Sequence, residues 1–205
     1  MGEKMEMDNF VEAIDQALAR LFSQSPAIDR HQTLIKSIHM SSQPQLSSCL
    51  WFDNQAEEAA NYYVSIFKGG RILHTARYGK EGFEIHKRPE GSVLTVQFEI
   101  LGKTFLALNG GPLFKFNESV SFVVECETQE EINYYWEKLG AGGDPNAQQC
   151  GWLKDKYGLS WQVTPTGMNE MLGETVTPAS ERVMRAIMEM KKMDIAALKK
   201  AYKGS

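Results

Sequence analysis

Apolar positions change their period along this chain, and the changes mark its elements. After Asp8, an N-cap residue type, Phe10, Ile14, Ala17, Leu18 and Leu21 recur at helical spacing, so an amphipathic helix is expected over 8–22. Pro26 ends it, 27–38 has the pattern of a weaker second helix, and Ser41-Ser42-Gln43-Pro44-Gln45 is a polar linker. Beyond the linker, 48–53 reads as a strand and 55–67 as a helix with Ala59, Tyr62, Tyr63 and Phe67 on one side. Strands are expected at 71–78, 93–100 and 104–109, the last two joined by a turn at Leu101-Gly102-Lys103. A strand at 119–125, a helix at 129–139 and a hairpin of 151–154 with 159–164 follow, then helices from about 180 to 202.

These elements repeat. Asn61-Tyr62-Tyr63 in the first of the two central helices recurs as Asn133-Tyr134-Tyr135 in the second, 72 positions later. At the same offset Glu58 falls on Glu130, Ala60 on Ile132, Phe67 on Leu139, Leu50 on Phe122 and Phe52 on Val124, while Gly69-Gly70 lands one residue short of Gly142-Gly143. Two amphipathic helices can match by chance, but here strand, turn, helix and glycine exit recur in order, which marks a duplicated unit.

A duplicated unit of one strand, one helix and three strands resembles the vicinal-oxygen-chelate (glyoxalase, bleomycin-resistance and dioxygenase) superfamily, and within it the PhnB-like branch. The resemblance is carried by Leu50-Trp51-Phe52-Asp53, Glu57-Glu58-Ala59, Ala107-Leu108-Asn109-Gly110-Gly111-Pro112, Phe114-Lys115-Phe116-Asn117, Ser121-Phe122, and Cys150 to Asp155 through Tyr157 to Gln162. It covers 46–165, and the tail adds Arg182-Val183-Met184 and Met190 to Leu198. The resemblance implies an α+β, glyoxalase-type fold in which two repeated βαβββ modules form a curved sheet around a pocket, with extra terminal helices. The expected organisation is a helical extension and linker over 1–45, one domain over 46–165 with modules at about 46–112 and 118–165, and C-terminal helices over 166–205. His39-Met40 is also what a cloning junction leaves, so 1–39 reads either as vector-derived or as a native extension. Members of the branch are labelled 3-demethylubiquinone-9 3-methyltransferase domains. The sequence does not support that activity: Gly69-Gly70 follows a helix and Gly110-Gly111-Pro112 precedes a strand, so neither forms a glycine-rich strand-to-helix turn for a nucleotide-like cofactor.

Composition narrows the function. With 22 basic and 26 acidic residues, a net charge of -4 and no basic run, nucleic acid is a poor partner. No apolar run reaches the roughly 18 residues of a membrane span, and the acidic start has no signal-peptide pattern, so no membrane partner and a cytoplasmic location are expected. Cys49, Cys126 and Cys150, odd in number, read as reduced structural thiols.

Metal-dependent members of the superfamily draw histidine and glutamate ligands from the first and last strands of each module. Here the first strand has none, Ser121 stands where the resemblance places a histidine, and Gln162 where it places a glutamate. His31, His39, His74 and His86 lie elsewhere, so neither a metal nor another cofactor is expected. Alternation puts Leu50, Phe52, Val120, Phe122, Val124, Trp161 and Val163 under the helices and turns Cys49, Trp51, Ser121, Ser160, Gln162 and Thr164 toward the pocket. Trp51 also reads as barrel filling and Gln162 as a partner for backbone. Asn109, ahead of Gly110-Gly111-Pro112, reads as a turn or as pocket rim, with Phe114 and Phe116 at the mouth or against a second subunit. This polar and aromatic lining suits a neutral or weakly polar organic ligand. The expected function is metal-free binding of a small organic molecule by a homodimer. The alternative is an isomerase, lyase or dioxygenase acting on a small oxygenated substrate, and catalytic residues are not identified. A third possibility is an interaction protein that works through its terminal helices.

Overall fold

Strict alternation in Ser48–Phe52 forms the first strand, β1, of a computed structural model that describes residues 46–204. The helices expected at 8–22 and 27–38 lie outside the described residues. β1 leads into α1 (Ala56–Ile66), β2 (Arg71–Arg77), a short α2 (Phe83–His86), β3 (Val93–Ile100) and β4 (Lys103–Asn109). The second unit contains β5 (Ser121–Cys126), α3 (Gln129–Gly140), β6 (Trp152–Lys154) and β7 (Ser160–Pro165). Three helices close the chain: α4 (Met168–Leu172), α5 (Pro178–Glu189) and α6 (Ile195–Lys203).

The two units share one topology. β1 lies parallel to β4 in a sheet ordered β1-β4-β3-β2, and β5 lies parallel to β7 in a sheet ordered β5-β7-β6. The expected fourth strand of the second unit is absent. Its place is taken by a 3-10 turn at Pro145–Ala147 and a single bridge between Gln149 and Trp152. Pro145 has no N–H to give a ladder, and the Asp144 side chain accepts from Asn146 N instead, so this segment turns.

The glycine pairs behind the two central helices do the same work in both units. Gly69 and Gly142 take φ of +79° and +75°, and the residue after each sits against backbone. A Cβ on Gly70 would lie 2.8 Å from Val64 Cα, and one on Gly143 would lie 1.9 Å from the Lys154 carbonyl oxygen.

Each helix begins differently. α3 starts with a capping box, the Thr128 hydroxyl accepting from Glu131 N at 3.2 Å while the Glu131 carboxylate accepts from Thr128 N. α1 has no side-chain cap of its own.

A single core joins the units. α1 buries Ala56, Ala59, Ala60, Tyr63 and Ile66 on the first sheet, and α3 buries Ile132 and Leu139 on the second. Between them Phe105 of β4 meets Phe122 of β5 edge-on at 5.1 Å, and Tyr63 lies 5.9 Å from Phe98 and 5.5 Å from Trp161. Each large apolar side chain buried this way contributes about 1.5–3 kcal/mol. The helix-covered faces of both sheets contribute to this core, and each sheet keeps one face without a helix on it. The strands form two separate sheets, one for each unit, in the α+β arrangement expected from the sequence.

The tail docks on the second unit. Cys150 N and Gly151 N donate to the Met190 and Lys191 carbonyls at 2.8 and 2.7 Å, and Ile195 N donates to Gln129 Oε1. Val183, Ile187, Met193 and Leu198 are buried against it. Among the described residues no helix is long and apolar enough to cross a membrane.

Candidate functional site

Alternation along the strands holds. Leu50, Phe52, Val124, Trp161 and Val163 are buried and Phe122 packs partly buried on the core, so these side chains lie under the helices. Val120 does not follow: it precedes β5, outside the ladder, and is 63% exposed.

On the open face of the first sheet, register sets Trp51 beside Leu108 and Thr95, and Cys49 beside Leu106 and Gln97. Cys49 is exposed and Trp51 half-buried. The Trp51 indole N–H donates to the Gly111 carbonyl at 2.8 Å. Phe114 stands edge-on to the indole with ring centres 4.9 Å apart, and a Cβ on Gly110 would come within 2.2 Å of it. Phe116 lies on the other side of the sheet, edge-on to Phe52 at 5.2 Å. The first sheet also carries His74, opposite Gln97, and Glu99, ion-paired with Arg71 at 3.1 Å.

Asn109 sits on the helix-covered face and is 6% exposed. Its Oδ1 accepts from Ala56 N at 2.8 Å and its Nδ2 donates to the Val93 carbonyl at 3.0 Å. The side chain therefore supplies, from a strand 53 residues on, the cap that α1 lacks.

On the open face of the second sheet, Gln162 Nε2 donates to Ser121 Oγ at 2.9 Å. Ser160 lies opposite Ser121 and Thr164 opposite Glu125. Ser160 is 1% exposed and its hydroxyl has no partner. The third strand completes this surface, Trp152 opposite Gln162 and Lys154 opposite Ser160, with the Lys154 ammonium ion-paired to Glu118. A groove runs here between Glu118, Gln149, Cys150, Trp152, Lys154 and Ser160. The chain thus brings Ser121, Ser160, Gln162 and Thr164 together on one face of the second sheet and leaves Cys49 and Trp51 on a face of the other sheet.

Trp152 and Lys154 were not singled out from sequence, although the signal was there. Leu153 between them is 1% exposed, so simple alternation places both neighbours on the open face with Gln162.

Burial with the Glu131 charge pushes the Cys126 thiol up to about 11. Among the described residues no group of three or more His, Cys, Asp or Glu side chains converges as metal ligands would. His86 is engaged locally, its Nδ1 accepting from Arg88 N at 2.9 Å.

Comparison with known proteins adds to this geometry. The model of the family described as 3-demethylubiquinone-9 3-methyltransferase matches residues 44–164. Among solved structures, the PhnB protein of Bacillus cereus is similar at 34% identity over 60% of this chain and 100% of that one, with a TM-score of 0.51. A Staphylococcus aureus protein is 26% identical over 58% of this chain and 94% of its own, with a TM-score of 0.26. The fosfomycin resistance protein FosX of Listeria monocytogenes is 13% identical over 65% and 99%, with a TM-score of 0.43. No curated protein matches the chain.

Proposed function

We propose that this chain, which belongs to the 3-demethylubiquinone-9 3-methyltransferase family, binds a small organic molecule without a resident metal, in a pocket that a second copy of the chain completes. The observation that carries the proposal is the open face of the second sheet. There Ser121, Gln162 and the buried, unpartnered Ser160 hydroxyl share a face with Trp152, which lies opposite Gln162 across the ladder. Hydroxyl, amide and indole groups on a rigid sheet orient a ligand, while proton transfer needs a positioned acid or base, which these four side chains lack.

Two sheet edges support the dimer. β1 and β5 each end a sheet and, among the described residues, each keep one unpaired edge, and Leu113, Phe114, Val120 and Val123 beside them are about half exposed or more. An unpaired edge next to apolar surface is a template for another chain. A second copy docked along these edges would set the Trp51 surface of one protomer against the Gln162 surface of the other, closing the pocket that one chain leaves open. The three free thiols support a reducing, cytoplasmic setting.

Native mass spectrometry of the purified full-length chain tests this. The expected result is a dimer carrying an organic adduct that is lost in Gln162→Leu. One equivalent of transition metal per chain, lost with the same substitution, would overturn it.

A further inference from the structure

Ser160 Oγ is a buried hydroxyl with no hydrogen-bond partner, and such groups are rare because folding takes them from water without replacing it. It lines the groove along β6, directly across the ladder from Lys154. Lys154 is the covered half of its ion pair, with its side chain 24% exposed against 66% for Glu118. Glu118 belongs to the connection between β4 and β5 and to no strand, and the Lys154 ammonium holds its carboxyl below the usual range. A carboxylate from a connecting segment thus occupies the cationic end of a groove that also holds an unused hydroxyl and an indole.

We propose that the groove takes an organic carboxylate, which displaces Glu118 from Lys154, accepts a hydrogen bond from Ser160 Oγ–H and lies along Trp152. This rests on the small-molecule reading above and adds the ligand's class. The exchange conserves charge, because one carboxylate leaves the ammonium as another arrives. A neutral ligand that displaced Glu118 would leave Lys154, whose side chain is 24% exposed, without its counter-ion, which disfavours the exchange. A planar body behind the carboxylate suits the face of the Trp152 ring, whose side chain is half-buried on the open side of the sheet.

Benzoate is the probe and benzamide its neutral counterpart, with binding to the full-length protein followed by tryptophan fluorescence. Benzoate is expected to bind and benzamide not to. Lys154→Met and Ser160→Ala should each weaken benzoate, the first by about tenfold or more. Glu118→Gln should tighten it, since the internal competitor is gone. Ser160→Ala removes only an unpaired hydroxyl, so its melting temperature should match or exceed that of the unsubstituted protein, which keeps the test independent of folding. Equal binding of benzamide and benzoate, weaker binding in Glu118→Gln, or no benzoate binding would each overturn the proposal. A copurified molecule retained by Lys154→Met but lost from Gln162→Leu would overturn the carboxylate and leave the small-molecule reading standing.

Discussion

Tyr63 Oη donates to Asp155 Oδ2 at 2.7 Å across 92 residues, tying the central helix of the first unit to the hairpin turn of the second. Asp155 is 2% exposed and also accepts from Trp161 Nε1 at 2.9 Å and from the backbone N–H groups of Tyr157 and Leu159 at 2.8 and 3.1 Å. Tyr63→Phe should cost about 1–3 kcal/mol in chemical denaturation, because one buried acceptor position is left unfilled. Burial raises the Asp155 carboxyl above the ordinary aspartate value, against the lowering effect of its four hydrogen bonds. The folded state then holds this proton to a higher pH than the unfolded chain does, so the group's contribution to stability falls as pH rises through that window. The stability of the wild type minus that of Asp155→Asn should therefore grow as pH is lowered from neutral toward the ordinary aspartate range. A difference that shrinks instead would mean the hydrogen bonds outweigh burial.

Asn109 should behave as a structural residue. Asn109→Ala strands the Ala56 N–H and the Val93 carbonyl, at about 1–3 kcal/mol for each buried group left unpaired. Asn109→Asp restores the acceptor alone and should recover part of the loss. Denaturation midpoints of the three proteins check this, and equal midpoints would remove Asn109 from its place as the cap of α1.

The two faces of the strands should fail differently. Phe52→Ala and Trp161→Ala, at sites 4% and 2% exposed, should each cost about 3–5 kcal/mol. Gln162→Leu breaks only a half-buried contact with Ser121 and should leave the melting temperature little changed while abolishing ligand retention. An equally steep loss of stability in Gln162→Leu would make the glutamine structural and move the pocket elsewhere.

Light scattering at micromolar concentration should give about twice the 23.1 kDa chain mass. Removing residues 1–40 should leave the dimer intact. Val123→Lys, placing a charge on the end strand at a side chain 53% exposed, should give a folded monomer that retains no ligand. A Val123→Lys dimer of unchanged stability would put the interface on another surface.

Much of the fold was legible because its determinants are local. The alternation in 48–53, the apolar stripes of both central helices and the recurrence of Asn-Tyr-Tyr depend on neighbours a few residues apart, and the observed elements fall within a few residues of the expected bounds. The repeat extended to the glycine pairs, whose positive φ and close backbone approaches recur in both units. Pro145 and Asp144 cost the second unit a strand, and those residues were visible too, although the expectation of symmetry outweighed their turn chemistry.

By itself the sequence determined which side of each strand a residue occupies, since a period of two leaves no choice once one face is apolar. Only the tertiary structure decided which faces meet. Tyr63, Phe105, Phe122 and Trp161 join the covered faces in one core, which leaves Trp51 and Gln162 on the open faces of two separate sheets. Asn109 lay in a motif noticed from sequence, yet its work, capping a helix that begins 53 residues earlier, depends on the parallel pairing of β1 with β4. Contacts between residues far apart in the chain depend on how whole elements pack, and no periodicity within a single element encodes that.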